Sequence, residues 1–364
     1  MTRTLWIDAA GWPATIDQTR LPFERITLRL SSAQACFDAI RSMQVRGAPL
    51  IGAVGAYGLA LALRDGASDA ALAQAVDWLA SARPTAVNLR WALERVRQRV
   101  QDAAPGRRAE LAWHEAGVLC DEDVDCNARI GEYGAELLLA LPRAAAAAPR
   151  PASAERPLQV LTHCNAGRIA TVDHGTALAP IYRLHEAGIA VHVWVDETRP
   201  RNQGALLTAW ELAERGVPHT VIVDNAGGLL MRRGQVDAVI VGCDRVAANG
   251  DVANKIGTYL KALAAHDNDV PFYVACPVST IDAGTPDGDA IPIEERDARE
   301  VTEMLGRAPD GRLLPVRIVP GDSAAANPAF DVTPARLVNA LITEHGVCEA
   351  SLPAITQLLA KVGR

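Results

Sequence analysis

Two reactive side chains stand directly after short apolar runs. Cys164 follows LQVLTH (158–163) and opens onto Asn165-Ala166-Gly167, and Asp244 follows VDAVIVG (236–242) and Cys243. A thiol at a strand exit, ahead of a helix opening near Gly167, would have its thiolate stabilised by backbone N–H groups and the helix dipole, which suits it to accept a proton. A carboxyl leaving an apolar strand is partly desolvated, which lifts its pKa toward the range of a general acid. Each residue also has a plainer reading. Cys164 is one of seven cysteines and can be a small buried side chain; Asp244 can cap a turn or pair with Arg245.

Around this pair lie groups suited to an anion and to hydroxyls. In Arg46-Gly47-Ala48-Pro49, Pro49 can be the first residue of a helix, so the free N–H groups of Gly47 and Ala48 together with the Arg46 guanidinium form an anion site. Arg83, in SARPTAVNL (81–89), offers a second fork or a structural salt bridge. Asn254 and Lys255 are read as the opening of a helix, where amide, ammonium and backbone N–H groups would hold a phosphate. Only three of the 36 basic residues are lysine (255, 261 and 361), so Lys255 stands out in a chain that uses arginine almost everywhere else. Gln203, in DETRPRNQGALLTAWEL (196–212), sits at a helix entry where its amide can reach a sugar hydroxyl; otherwise it is a surface glutamine. Asp251, within Asn249-Gly250-Asp251, reads as a turn residue.

Other chemistries find no pattern. His114-Glu115 lacks a second histidine four residues on, the acidic run 121–125 lacks the glycine and distal glutamate of a calcium loop, and no Walker loop or Gly-x-Ser-x-Gly elbow exists. Gly52, Gly55 and Gly58 recur every third residue with no strand before them, which fits a closely packed helix and not a dinucleotide fingerprint.

These side chains need elements to position them. Helical spacing of apolar residues marks 32–44, 47–64, 68–82, 86–102 and 108–140, and Ile26–Leu30 alternates like a strand that pairs with the N-terminus. Beyond an Ala/Pro-rich stretch at 141–157, read as a linker, short Val/Ile-rich runs at 158–163, 190–196, 219–224, 236–242 and 271–276 alternate with helical segments at 168–187, 203–215 and 254–266. The expected fold is α/β: a mainly helical N-terminal domain (1–140) followed by a Rossmann-like parallel-sheet domain (158–364). Parallel strands deliver their C-terminal exits to one edge, and every exit here carries polar groups.

Bulk properties narrow the partners. A formal net charge of −7 disfavours nucleic acid, no apolar run suits a membrane span, and the first residues do not resemble a signal peptide. The seven cysteines are odd in number and scattered without a Cys-x-x-Cys pair, which suggests reduced thiols in the cytoplasm and no structural zinc.

Together RGAPLIG, SARPTAVNL, THCNAG, ETRPRNQGALLTAWEL, GCDRVAANGDVANKIGTY, PFYVACPVSTID, IPIEERDAREV and NPAFDVTPARLVNALITEHGV, spread from Arg46 to Val347, resemble the methylthioribose-1-phosphate isomerase family. That family is related to regulatory subunits of the exchange factor for translation initiation factor 2 and to ribose-1,5-bisphosphate isomerases. The resemblance implies an aldose–ketose isomerase of methionine salvage that converts 5-methylthioribose 1-phosphate to 5-methylthioribulose 1-phosphate. It implies Cys164 and Asp244 as catalytic pair and Arg46, Gly47, Ala48, Arg83, Gln203, Asn254 and Lys255 as substrate contacts. It also implies a homodimer with neither metal nor organic cofactor. Cys243 and Cys276 depart from the alanine more usual in the family, a change expected to affect packing only. The rival readings are a non-catalytic regulatory subunit, a ribose-1,5-bisphosphate isomerase with a second phosphate site, and an NAD-type dehydrogenase; the last fails for want of Gly-x-Gly-x-x-Gly after the first strand of the sheet.

Overall fold

The computed structural model of the chain describes residues 3–141 and 156–363. Most of the stretch read as a linker therefore lies outside the described residues. Strands β1 (Trp6–Ile7), β2 (Pro13–Ile16) and β3 (Thr27–Arg29) form an antiparallel sheet, so the strand expected near 26–30 does pair with the N-terminus. Helices α1 (Ala33–Arg41), α2 (Ala48–Asp65), α3 (Asp69–Ala80), α4 (Val87–Val100) and α5 (Pro105–Leu139) follow. Ser32 and Ser68 cap α1 and α3 by accepting from the N–H groups of Ala35 and Ala71.

Helix α2 is the axis of this part, buried from Leu50 to Leu61 without a break. Its three glycines explain how. A Cβ at Gly52 would stand 2.9 Å from the Asn88 carbonyl oxygen, one at Gly55 2.4 Å from Leu89 Cδ1, and one at Gly58 3.0 Å from Cys36 Cβ. The glycines thus let α4 and α1 approach α2 closely. Helix α5 serves two cores. Ala112, Ala116 and Leu119 pack among the N-terminal helices, whereas Ile130, Ala135 and Leu138 pack with the sheet of the second half.

That second half contains strands β4 (Leu158–Thr162), β5 (Val191–Asp196), β6 (His219–Ile222), β7 (Ala238–Val241), β8 (Arg245–Ala247), β9 (Val252–Lys255), β10 (Phe272–Ala275), β11 (Ile281–Asp282), β12 (Glu303–Arg307), β13 (Leu313–Arg317), β14 (Phe330–Thr333), β15 (Ala340–Thr343) and β16 (Gly346–Cys348). The helices are α6 (Ala179–Glu186), α7 (Ala209–Glu214), α8 (Ala226–Arg232), α9 (Thr258–Asp267), α10 (Arg299–Thr302) and α11 (Leu352–Lys361). The main sheet runs β16-β15-β10-β7-β4-β5-β6, parallel throughout except for β16. A smaller sheet, β11-β8-β9-β14, and the hairpin β12–β13 stand beside it. No helix among the described residues is long and apolar enough to cross a membrane.

Two expectations need correction. The segment 168–187 is not one helix: a single 3-10 turn (Arg168–Ala170) follows Gly167, and α6 begins only at Ala179. Asn254 and Lys255 do not open a helix either. They lie on β9, opposite Asp331 and Phe330 of β14, and α9 begins three residues after Lys255. Pairing with a strand some 75 residues away in the chain overrides the local helical pattern.

Candidate active site

The exits of β4 and β7, strand β9 and the start of α2 meet around one cleft of about 700 Å³. All nine residues singled out from the sequence line it: Arg46, Gly47, Ala48, Arg83, Cys164, Gln203, Asp244, Asn254 and Lys255. A larger cavity, about 1110 Å³, lies between α2, α4, α5 and the exits of β10 and β15. Size alone would favour it, but it holds none of these nine groups.

Cys164 is held in the left-handed region, φ 66°. For a residue with a side chain this costs on the order of 1 kcal/mol, so neighbours must impose it. The Cys164 N–H donates to Thr198 Oγ1 (2.8 Å), and its carbonyl accepts from Thr208 Oγ1 (2.7 Å). Thr198 is itself at φ 65°, with its N–H donating to Asp224 Oδ1 (2.7 Å). The exits of β4, β5 and β6 are thereby clipped together behind the thiol.

The thiol's electrostatics differ from the sequence expectation. With no α-helix opening at Gly167, burial dominates and pushes the Cys164 pKa up from its ordinary value. Arg46 and then Lys255 pull it back, and Asp244 adds to the rise. Burial likewise raises the Asp244 carboxyl, against Arg83, Lys255 and Arg46. Asp244 is not the partner of Arg245, whose guanidinium turns to Asp282 Oδ2 (3.3 Å) and the Thr85 carbonyl (3.2 Å). The carboxyl therefore remains available to the cleft.

Lys255 is 6% exposed. Its ammonium donates to the Ala329 carbonyl (2.7 Å) and lies 4.6 Å from the centre of the Phe330 ring. Burial lowers its pKa, while Cys164 and Asp244 favour its charge. An ammonium has three donors, so it can also serve a ligand. Arg46 is more committed than its sequence position suggested: its two terminal nitrogens donate to Asn165 Oδ1 and to the Asn165 carbonyl, both at 2.6 Å. Asn165 in turn donates to Glu211 Oε1 (2.7 Å), and Glu211 is 2% exposed. This chain of bonds ties the start of α2 to the exit of β4. Gln203 precedes a π-helical turn (Gly204–Thr208) and is buried, with its Oε1 unpartnered among the described residues. A buried amide oxygen without a partner is costly, and a ligand hydroxyl would satisfy it.

Sequence reasoning missed several members. Arg296 lines the cleft and donates to Glu294 Oε1 (2.8 Å), while Glu294 Oε2 is paired with Arg83 (3.5 Å). His163 lies behind the thiol. Its Nδ1 meets Asp196 Oδ2 and its Nε2 meets the Ile256 carbonyl, each at 2.8 Å. The His163, Asp196 and Asp224 ligand atoms lie within 4.8 Å of one another, a spacing open to a metal. Here, however, the Lys261 ammonium already stands 3.1 Å from Asp196 Oδ2. The rarity of lysine pointed to Lys261 as much as to Lys255; only its partners reveal its place.

Comparison with known proteins shows the family of the chain. Residues 44–350 match the initiation factor 2 subunit family. The chain is 59% identical over 359 residues to a methylthioribose-1-phosphate isomerase of Acidiphilium cryptum, covering 98% of this chain and 95% of that one. It is 57% identical over 359 residues to one from Rhodospirillum rubrum, covering 98% and 91%. Among solved structures, 5-methylthioribose 1-phosphate isomerase from Pyrococcus horikoshii superposes with a TM-score of 0.82 at 39% identity, covering 100% of this chain and 96% of that one. A structure named as translation initiation factor eIF-2B subunit delta from A. fulgidus superposes at 0.78, also at 39% identity, covering 98% and 100%.

Proposed function

This chain belongs to the initiation factor 2 subunit family, among its methylthioribose-1-phosphate isomerases, and on that footing we propose that the cleft around Cys164 and Asp244 isomerises 5-methylthioribose 1-phosphate to 5-methylthioribulose 1-phosphate in methionine salvage. The chain is thus an aldose–ketose isomerase. The observation that carries the assignment of the site is the convergence of a thiol, a carboxyl, four cations and an amide oxygen unpartnered among the described residues on one cleft.

In this reading the substrate phosphate lies against the N–H groups at the start of α2, with Lys255 and Arg83 supplying charge and Asn254 a donor. Gln203 takes a sugar hydroxyl. Asp244, whose pKa burial raises toward the range of a general acid, donates to the ring oxygen as its bond to C1 breaks. Hydrogen then moves from C2 to C1, either as a proton carried by Cys164 or directly as hydride. Complete absence of solvent deuterium at C1 of the product would support the hydride route, which needs no thiolate base at C2. Solvent deuterium at C1 of the product would instead support proton transfer through Cys164.

We place the protein in the cytoplasm, in keeping with its seven unpaired cysteines. We also read it as a homodimer. Support comes from Val221 and Val223 at the open β6 edge and from Leu229 on α8, all exposed apolar residues. The test is direct. Purified protein is given 5-methylthioribose 1-phosphate and ketose is measured. Steady turnover is expected, and its absence would return the chain to the non-catalytic reading.

A further inference from the structure

We propose that His163 is a positioning residue for the isomerisation: its ring ties the loop that carries the Cys164 thiol to the smaller sheet that bears Lys255 and begins beside Asp244. The inference rests on the isomerase reading above and concerns how its reacting groups are held at one spacing.

The thiol and its partners leave different sheets. Cys164 follows β4 of the main sheet, whereas Asp244 enters β8 and Lys255 closes β9, neighbours in the smaller sheet. The Asp244 N–H donates to the Ala253 carbonyl at 3.0 Å, so the carboxyl and the ammonium share one support. His163 spans the gap between the two sheets. It directly precedes Cys164, and its Nε2 meets the carbonyl of Ile256, the residue after Lys255, at 2.8 Å. A carbonyl only accepts, so Nε2 carries the hydrogen and donates it. On the other side of the ring Nδ1 faces Asp196 Oδ2, also at 2.8 Å. Both nitrogens are engaged, so His163, although it lines the cleft, has neither left to act on a sugar as acid or base.

The anchor of the ring is itself pinned. Asp196 is fully buried, and the Lys261 ammonium stands 3.1 Å from the same Oδ2 while donating to the Asp224 carbonyl. The Asp224 carboxylate accepts from the N–H groups of Thr198 and Arg199, each at 2.7 Å, and the Thr198 hydroxyl accepts from the Cys164 N–H. The imidazole is therefore fixed to the same clip that shapes the backbone of the thiol. The smaller sheet closes tightly on it: a Cβ added at Gly257 would stand 3.0 Å from His163 Cε1 and 3.1 Å from Nε2.

The test separates the two ring bonds. In His163→Asn the amide nitrogen takes the place of Nδ1, which keeps the bond to Asp196 and leaves the Ile256 carbonyl unpaired. In His163→Gln it takes the place of Nε2, which keeps the bond to Ile256 and leaves Asp196 one donor short. A buried carboxylate loses more by this than a carbonyl does, so His163→Gln should have the lower thermal midpoint of the two. Activity should run the other way. His163→Asn should lower kcat on 5-methylthioribose 1-phosphate about 10²-fold, with KM changed less because Arg83 and the start of α2 still hold the phosphate. His163→Gln should exceed His163→Asn in kcat by about 10-fold or more. A kcat order that follows the midpoints, or parent-like kcat in both variants, overturns the inference. Should either variant fail to fold, Gly257→Ala presses on the ring with His163 in place and should lower kcat about 10-fold. Parent-like kcat in that variant overturns the inference as well. A parent inactive on this substrate overturns the isomerase reading instead.

Discussion

Gly47→Ala tests how the start of α2 is seated against the turn that follows Cys164. Gly47 precedes α2 at φ +96°, and a Cβ built there would lie 2.2 Å from the Ala170 carbonyl oxygen and 2.5 Å from Ala170 Cα. The left-handed backbone alone costs a side-chain-bearing residue roughly 1–2 kcal/mol. Backbone cannot swing aside like a flexible side chain, so relieving the overlap forces a shift approaching 1 Å, and overpacking of this kind costs about 1–3 kcal/mol more. The total, about 2–5 kcal/mol, should lower the thermal midpoint by roughly 10 °C. The same shift moves the N–H groups proposed to hold the phosphate, and a misplacement of that size should lower kcat/KM by about 10²-fold. Gly11→Ala is the control: Gly11 has φ +80° but nothing within 4 Å of the added carbon. It should show the backbone cost alone, with activity unchanged. Scanning calorimetry and the isomerase assay read the two effects. A Gly47→Ala protein matching the parent in midpoint and within twofold in kcat/KM would refute this account of the α2 seat.

Two further predictions concern buried carboxyls. Burial raises Asp244, and Arg83 is the largest cationic offset to that rise. If Asp244 acts in its protonated form, kcat/KM falls as pH climbs through its pKa. Arg83→Met should therefore move that alkaline limb to higher pH, and a limb that stays put or moves down would contradict the acid role. Burial pushes Asp123 from 3.8 up to about 7. Below about pH 4 folded and unfolded chains both hold this proton; between there and pH 7 only the folded chain does. Its stabilising contribution is therefore full at the acid end and lost as pH rises through about 7. Asp123→Asn should gain urea resistance relative to the parent on going from pH 4.5 to pH 8, and a pH-independent difference would count against it.

Much of this organisation was legible in the sequence because apolar period and glycine spacing are local signals. The N-terminal helices were placed within a few residues, and the glycines of α2 do mark close helix approach. The parallel sheet could be read from its Val/Ile runs, and polar residues at the strand exits pointed to one edge. What escaped depends on partners far along the chain. Lys255 looked helical until β14 was found beside β9. Cys164 looked like a helix-start thiol, but the loop after β4 is shaped by Thr198 and Thr208, more than 30 residues away. Glu211 carries no signal of its own in the sequence; only Asn165 and Arg46 show it to be the buried end of a network that anchors α2. The hairpin β12–β13 carries little alternation to announce it.

The central claim is that the thiol of Cys164 and the carboxyl of Asp244 act on one sugar between them. Single-turnover rates for Cys164→Ser, Asp244→Asn and the double variant, with substrate binding measured separately, test it most directly. Near-complete loss of ketose formation is expected in each single variant, with binding largely kept and little further loss in the double. Parent-like turnover in both single variants would contradict the claim.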